Sequence, residues 1–193
     1  MPAPESTADR LLQAAAGVFL AHGYAAASME QVRQTAGVSN GSLYHHFPTK
    51  AQLADALLAH TLRDFHGALI AALKPRASAQ SCVKALVRAY IDWVVAHPTG
   101  ARLLHELRRQ GDLPGAAGAW QQANADAFEA LRDWVAAREA AGEVRALPLA
   151  AWIAVVFAPA MALTPQWVAQ PQPVVPPRLR RALEHAAWMA VAP

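Results

Sequence analysis

The sequence has a single cysteine, Cys82, so no disulfide bond can form within the chain, and a reducing cytoplasmic location is expected. Charged residues are also scarce, at 16% of the 193 residues, whereas hydrophobic residues make up 54%. A surface this poor in charge favours burial of apolar area against a second copy of the chain. The amino terminus has no cationic segment followed by an apolar core, so no signal peptide is predicted.

Basic residues are few where they would matter for nucleic-acid binding. The formal net charge of +3 permits such binding without establishing it. Within residues 1–60, however, three basic side chains (Arg10, Arg33 and Lys50) stand against four acidic ones, so that segment carries one net negative charge. A lysine-rich arm is therefore excluded there, and any DNA affinity has to come from placed dipoles and a few cations.

Patterns of catalytic residues are absent from the sequence. Cys82 has no histidine near it, and His45-His46, His97 and His105 lack metal-ligand spacing with a carboxylate partner. There is no glycine loop for phosphate and no Gly-x-Ser-x-Gly. The sequence therefore predicts no enzyme, no metal site and no cofactor.

No charged residue occurs between positions 146 and 177. Prolines divide this stretch, and its longest proline-free apolar run, 149–158, is shorter than the about 20 residues that a membrane-spanning helix needs. We interpret the stretch as a buried helix or a helix in a dimer interface. A membrane-associated helical protein is the alternative.

Apolar residues recur at helical spacing along the chain, with no strand pattern and no internal repeat, which predicts an all-α fold of about nine helices. The first helix is predicted over about residues 6–22, with Gly23 as its stop. Ser28 and Thr49 each open a capping box, and the helix from Thr49 extends to about residue 73. The last two helices are predicted at about 149–168 and 177–190.

Two short helices are predicted on either side of Gly37, which can adopt the positive φ of a tight turn. The second helix begins at the cap Ser39 and ends at Phe47, because Pro48 disfavours helical backbone in the residue before it. Two short helices joined by such a turn form a helix-turn-helix. The domains predicted are 1–50, carrying this motif, and 51–193, with the helix at 49–73 linking them.

Residues 28–53 resemble the DNA-binding signature of TetR-family regulators. The most specific part is Val38-Ser-x-Gly-x-Leu-Tyr-x-His-Phe-x-Thr-Lys50, and the match covers about residues 8–58. The resemblance implies that the helix-turn-helix domain is followed by a helical domain that binds a small molecule and dimerises.

The helix at about 39–46 is the predicted recognition helix, whose amino-terminal N–H groups favour a phosphate. The Asn40 amide suits an adenine edge, and Gly41, without a Cβ, permits close approach of the backbone. The resemblance implies that Lys50 is a phosphate clamp. The predicted DNA-binding residues are Ser28, Arg33, Ser39, Asn40, Gly41, Ser42, Tyr44, His45, His46 and Lys50.

The sequence leaves a structural interpretation open for several of these residues. Ser28 and Thr49 can be helix caps alone, Tyr44 can pack in the small core, and His46 can orient the junction with the next helix. A phosphate near His45 or His46 would favour the charged imidazole, so DNA affinity is expected to rise from pH 8 to pH 6.

The second domain is predicted to supply an effector cavity and a dimer interface. Apolar walls with one or two polar groups suit a hydrophobic or aromatic small molecule. The candidate cavity residues are Trp93, His105, Trp120, Phe128, Trp134 and Trp152. The last two helices are expected to pair between two copies of the chain, with candidate interface residues Trp152, Val156, Met161, Leu179, Leu183 and Ala187.

Together these features predict a homodimeric repressor that binds a palindromic operator in double-stranded DNA and is released by a small effector. The helix at 49–73 would carry the movement, since it starts in the DNA-binding module and ends in the second domain. Besides the membrane-associated alternative, a helical enzyme or small-molecule carrier without DNA recognition stays open.

Overall fold

The structure, a computed structural model, describes residues 6–110, 119–170 and 172–193, and the side chains of all of these except 106–110 and 119–120. Over these residues the chain forms helices and no strand, which confirms the all-α prediction. The helices are α1 (Thr7–Ala26), α2 (Met29–Ala36), α3 (Asn40–His46), α4 (Lys50–Ile70), α5 (Ala79–Ala96), α6 (Pro98–Gln110), α7 (Ala119–Ala140), α8 (Leu149–Val168) and α9 (Pro177–Val191).

Hydroxyl side chains mark the starts of five helices, as the sequence predicts for the first four of them. Each hydroxyl oxygen accepts the backbone N–H three residues later, which satisfies one of the free donors of the first turn. The distances are 3.1 to 3.2 Å at Ser6, Ser28, Ser39, Thr49 and Ser78.

Two glycines end helices in the way that the sequence predicts. Gly23 has φ 74° and ψ 156°, so the regular part of α1 stops there, and three residues beyond it complete the element. Gly37 follows α2 in the left-handed conformation, with φ 64° and ψ 38°. A side chain at either position would meet the steric cost of positive φ, which glycine avoids.

The chain divides into two compact units. The first unit comprises the described residues within 1–62 and 102–123, and the second comprises those within 63–101 and 124–193. The predicted boundary at residue 50 marks the start of α4 instead, and α4 contributes residues to both units.

Each unit has its own apolar core. In the first unit, Leu11, Val32, Leu43 and Leu53 are fully buried, so all four of the helices α1 to α4 contribute to that core. In the second unit α5, α8 and α9 pack against one another. The apolar stripe of α5 is buried throughout, at Val83, Leu86, Val87, Tyr90, Ile91 and Val94.

Helix α8 continues through both Pro159 and Pro165. Each proline lacks the N–H for a bond to the carbonyl four residues earlier, yet neither ends the helix. The helix predicted at about 149–168 is therefore confirmed, and its internal prolines do not divide it. By length and composition alone, Leu149–Val168 is able to cross a membrane, and 28% of its most apolar window is buried inside the chain.

Burial corrects the list of interface residues predicted for α8 and α9. Trp152, Val156, Leu183 and Ala187 are buried inside the chain, at 0%, 1%, 8% and 0% exposure, so they belong to its own core. Of the predicted set, Met161 and Leu179 retain partial exposure. The large apolar side chains that reach the surface of these helices are Val155 and Met189, at 39% and 55% exposure.

Candidate nucleic-acid interface

The turn between α2 and α3 is held by two arginine side chains. Arg10 of α1 donates from Nη2 to the carbonyl oxygens of Ala36 at 2.6 Å and Gly37 at 3.2 Å. Arg33 of α2 donates from Nη1 to the carbonyl oxygen of Val38 at 3.1 Å. Three successive carbonyls of the turn thus accept from guanidinium groups, and such charge-assisted bonds are stronger than neutral ones. The direction in which α3 leaves α2 is fixed by these bonds.

Arg33 is itself held in place by Glu30, three residues earlier on α2. The guanidinium donates from Nε and Nη2 to the two carboxylate oxygens at 2.8 and 2.7 Å. The bonds from Arg33, followed by one from Gln34, lower the pKa of Glu30 to about 2. Arg33 therefore faces Glu30 and the turn, and its predicted DNA contact would compete with both.

The outward face of α3 is polar and uncovered. Leu43 is fully buried and anchors the helix to the core of the first unit. On the other side Asn40, Gly41, Tyr44 and His45 are exposed, and Tyr44 has 47% of its surface open to solvent. The structure thereby excludes the alternative in which Tyr44 packs in the small core. Residues three and four apart are neighbours on a helix surface, so Tyr44 lies beside both Asn40 and Gly41, His45 lies beside Gly41, and the four form one continuous surface.

Gly41 meets no structural requirement inside the chain. A Cβ built at this position would have no other heavy atom within 4 Å, and its φ is not positive. Glycine in a helix costs about 1 kcal/mol relative to alanine. What distinguishes Gly41 is its place on the exposed face of α3, where the missing Cβ leaves room for a second molecule to approach the backbone closely.

The hydroxyl of Ser28 is occupied by its cap. It accepts from the Gln31 N–H at 3.2 Å and donates to the Gln31 side-chain oxygen at 3.0 Å. Ser39 likewise accepts from the Ser42 N–H at 3.2 Å, and the Ser39 side chain is exposed beside the outward face of α3. Of the predicted hydroxyl contacts, the one at Ser28 has to displace an existing bond.

Lys50 has a different set of partners from the one the resemblance implies. Its Nζ donates to the carbonyl oxygens of Tyr24 at 2.8 Å, Ala25 at 3.1 Å and Ala27 at 2.8 Å. It also lies 4.7 Å from the centre of the Tyr24 ring. An ammonium group has three N–H donors, and here all three have protein acceptors. Lys50 thus ties the start of α4 to the end of α1 and to the residue that follows it.

All three basic side chains of the first 60 residues therefore bind backbone carbonyls within the first unit. Arg10 was missed by sequence reasoning, because its acceptors lie 26 and 27 residues away and no local pattern marks such a contact. His46 is exposed, and its ring contacts those of His45 and Phe47 at 5.5 and 6.3 Å between centres.

A family model described as "Bacterial regulatory proteins, tetR family" matches residues 11–57, which include all of α2 and α3 and the start of α4. Over these residues the chain has the DNA-binding domain of the TetR family. The match covers the turn whose three carbonyls accept from Arg10 and Arg33, the exposed face of α3, and Lys50.

Relatives within the TetR family include two curated regulators from Mycolicibacterium smegmatis. The chain is 34% identical over 97 residues to the transcriptional activator FasR, which is 50% of this chain and 44% of that protein. It is 42% identical over 62 residues to the transcriptional repressor KstR2, which is 32% of this chain and 28% of that protein. The chain thus matches less than half the length of either relative.

The similarity in fold extends well beyond the DNA-binding domain. A TetR-family transcription regulator from Marinobacter aquaeolei VT8, known from its crystal structure, superimposes with a TM-score of 0.78 at 18% identity. The superposition covers 96% of this chain and 95% of that one. The second unit therefore has the architecture of the family, although its sequence is dissimilar.

Two of the candidate effector residues are in direct contact. Trp134 and Trp152 contact each other, with ring centres 6.2 Å apart. The ring of Trp93 contacts that of Phe65, with 4.9 Å between ring centres. Phe128 is 36% exposed. His105 is half-buried in the first unit, and the side chain of Trp120 lies outside the described residues.

No group of three or more His, Cys, Asp or Glu side chains within the described ranges is arranged to hold a metal ion. The four side chains exposed on α3 (Asn40, Tyr44, His45 and His46) carry amide, phenol and imidazole groups, which are suited to hydrogen bonding with bases and phosphates.

Proposed function

We propose that this protein is a DNA-binding transcriptional regulator that reads an operator through α3. One observation carries the proposal. The exposed face of α3, formed by Asn40, Gly41, Tyr44 and His45, belongs to a module whose turn is fixed by charge-assisted bonds from Arg10 and Arg33. A rigidly presented polar helix face is what base recognition in the major groove requires.

Within this proposal, Asn40 reads an adenine edge through its amide, and Tyr44 and His45 contact phosphate, sugar or a thymine methyl group. Ser39 and Ser42 add hydroxyl contacts at the start of the helix. Arg33 and Lys50 act from within the first unit, because their charged groups are occupied by Glu30 and by backbone carbonyls. They position α3 and the start of α4.

Gly41 gives the sharpest test of this assignment. Gly41→Ala relieves the cost of glycine in a helix, so the free energy of unfolding is expected to rise by about 0.5 to 1 kcal/mol. The added Cβ points away from the chain, and operator affinity is expected to fall about tenfold or more. Stability is measured by urea denaturation and affinity by fluorescence anisotropy of labelled operator.

Gly17→Ala is the matched control. Gly17 lies in α1, is exposed, and has no atom within 4 Å of an added Cβ. This variant is expected to gain similar stability and to bind the operator as the parent protein does. If Gly41→Ala binds the operator equally well, α3 does not approach DNA in the manner proposed.

The operator itself is found by selecting bound duplexes from a random pool. A dimer is expected to enrich a palindrome whose half-sites are centred about 10 base pairs apart. Asn40→Ala should relax the preference at one base pair of each half-site, at a cost of about 1 to 3 kcal/mol. Enrichment that is unchanged by Asn40→Ala would refute the assignment of the base-reading residue.

We propose further that the exposed apolar surface of α8 and α9 pairs with the same surface of a second copy. Val155 and Met189 supply its large exposed side chains, and small residues of α8 such as Ala158 and Ala162 are exposed as well. Sedimentation velocity in dilute salt without detergent is expected to show a dimer. Partition of the protein into membranes after cell lysis would support the membrane-associated alternative.

Release of DNA by a small effector completes the proposal. Helix α4 supports it, since one continuous helix begins at Lys50 beside the module that carries α3 and ends in the second unit. Repression rather than activation is the direction we propose. A reporter gene placed behind the selected operator should be silenced by the protein, and an increase of transcription would reverse the assigned direction.

A further inference from the structure

Two tryptophan side chains in the second unit have buried ring nitrogens without a partner. Trp134 lies on α7 and Trp152 on α8, and their rings meet edge to face at 6.2 Å between centres and 66° between planes. Trp152 is fully buried, and the ring nitrogen of Trp134 is buried as well. The described residues offer neither Nε1 an acceptor.

This arrangement differs from that of Trp93 in the same unit. The Trp93 Nε1 donates to the Asp64 carboxylate at 2.7 Å, so the fold supplies an acceptor for that indole. Buried polar groups in native proteins nearly always have a hydrogen-bond partner. Two unsatisfied donors on rings that touch each other therefore indicate a partner from outside the chain.

The chemistry of the indole limits what that partner can be. An indole N–H donates and never accepts, so the partner has to present an acceptor such as an oxygen. One cation lies against the pair: the guanidinium carbon of Arg138 is 5.6 Å from the centre of the Trp134 ring. A charged ligand buried here would need a free cation to compensate its charge.

Both terminal nitrogens of Arg138 already have acceptors within the chain. Its Nη1 donates to both carboxylate oxygens of Glu143 at 2.9 and 3.1 Å, and its Nη2 donates to the carbonyls of Pro75 and Ala77 at 3.1 Å each. It is not available to pair with a buried carboxylate. The site therefore favours a neutral acceptor over an anionic one.

We propose that the Trp134–Trp152 pair binds a neutral, largely apolar molecule through a carbonyl oxygen that accepts from the indole N–H groups. The proposal deepens the effector role stated under Proposed function and rests on it for its biological meaning. It narrows the effector from any hydrophobic or aromatic compound to one with a neutral oxygen acceptor.

The test follows the indole N–H signals of the intact protein in ¹⁵N–¹H spectra, assigned with Trp134→Phe and Trp152→Phe. Acetophenone is the carbonyl probe, ethylbenzene is its hydrocarbon counterpart of similar shape, and benzoate is the charged counterpart. Acetophenone is expected to move the Trp134 and Trp152 N–H signals downfield. Ethylbenzene is not expected to do so, and benzoate should bind more weakly than acetophenone.

Replacing either indole by a phenyl ring keeps the aromatic contact and removes one donor. Trp152→Phe and Trp134→Phe are each expected to weaken acetophenone binding about three- to tenfold, and to leave ethylbenzene binding nearly unchanged. Trp188→Phe is the control, because the Gln80 side-chain oxygen, with its amide turned to satisfy both groups, accepts from the Trp188 Nε1 at 3.2 Å. It should change acetophenone binding by less than about twofold.

The proposal is overturned if acetophenone, up to its solubility limit, leaves both signals in place, or if ethylbenzene moves them equally. A buried water as the sole partner predicts the first of these outcomes. The readout requires no DNA, so its failure is separable from that of DNA binding. If operator binding depends on Gly41 but acetophenone does not bind, the DNA-binding proposal stands and the ligand proposal fails. If acetophenone binds but no operator is recognised, the ligand site stands and its role in regulation fails.

Discussion

The basic side chains of residues 1–60 and those where α5 meets α9 are used in different ways. In the first unit, Arg10, Arg33 and Lys50 donate to backbone carbonyls at or just beyond the ends of α1 and α2. In the second unit, Arg88 and Arg180 of α5 and α9 pair with carboxylates on the facing helix, Glu184 and Asp92. The first arrangement fixes the directions in which short helices leave their turns, and the second joins long helices along their lengths.

This difference determines which groups lose their hydrogen-bond partner when a basic side chain is removed. Removing a cation from the second unit leaves an unpaired carboxylate, and its cost depends on how deeply that carboxylate is buried. Removing one from the first unit frees carbonyls that water can reach in part, so the cost in stability is smaller. The cost in function is expected to be larger there, because the carbonyls set the position of α3.

Arg88→Ala is expected to have the largest effect on stability. Its partner Glu184 has a side chain only 8% exposed, and the Arg88 Nη2 donates to it at 2.6 Å. Leaving this carboxylate buried without a partner should lower the free energy of unfolding by about 2 to 3 kcal/mol. Urea denaturation monitored by circular dichroism measures the change.

Arg180→Ala is the matched control, because its partner Asp92 is 57% exposed and can be solvated. Its expected cost is below about 1 kcal/mol. The double variant Arg88→Ala with Glu184→Leu should recover much of the loss. Equal costs for the two single variants would show that burial of the carboxylate does not set the energy.

Lys50→Met is expected to have the next largest effect. It removes the donor from three carbonyls while keeping much of the apolar stem, and it should lower stability by about 2 kcal/mol. The slope of operator affinity against salt concentration should stay nearly unchanged. Both quantities are measured, by denaturation and by anisotropy titrations at several salt concentrations.

A phosphate clamp at Lys50 makes the opposite prediction for both quantities. Stability would be unaffected, and the salt slope would fall by about 1 for each lost phosphate contact. These two results together would support the phosphate contact that the family resemblance implies. They would contradict a structural role for the bonds from Lys50 to the carbonyls of Tyr24, Ala25 and Ala27.

Arg10→Gln is expected to cost about 1 kcal/mol, since two carbonyl bonds are lost at a partly exposed site. Because the turn is then less fixed, operator affinity should fall for all sequences alike, without a change in the preferred bases. Comparing the selected consensus of this variant with that of Asn40→Ala separates positioning from base reading. A changed consensus for Arg10→Gln would mean that Arg10 contacts bases.

The smallest effect is expected from acid titration of Glu30. Its pKa is lowered from 4.5 to about 2 by the bonds from Arg33 and Gln34. The unfolded chain therefore binds the proton more readily than the folded chain does. The contribution of Glu30 to stability is complete above about pH 4.5, falls as the pH is lowered from 4.5 to about 2, and is absent below that. Glu30→Gln should flatten this part of the profile, and an unaltered profile would contradict the shift.

Local chemistry made much of the fold predictable. Hydroxyls at Ser28, Ser39 and Thr49 with partners three residues on predicted three helix starts, and Gly37 predicted the turn between α2 and α3. The exposed face of α3 followed from the burial of Leu43 on its other side. Each of these features depends on residues within a few positions of one another.

Contacts between distant residues were not predictable in the same way. The bonds from Arg10 and Lys50 join positions 23 to 27 apart, and no periodicity records them. In α8 nearly every residue is apolar, so the sequence gives no indication of which side faces inward. Trp152 and Val156 were for that reason assigned to the interface, whereas they lie in the core.

The bonds of Lys50 have a consequence for the construction of hybrid regulators, in which the DNA-reading part of one protein is joined to the sensing part of another. A junction placed before residue 50 would take the lysine from one parent and the Tyr24–Ala27 segment from the other. The three carbonyls would then depend on whatever side chain the second parent supplies at that position. A junction placed within α4 after Leu53 keeps the donor and its acceptors together, and such a hybrid should retain the operator preference of its first parent.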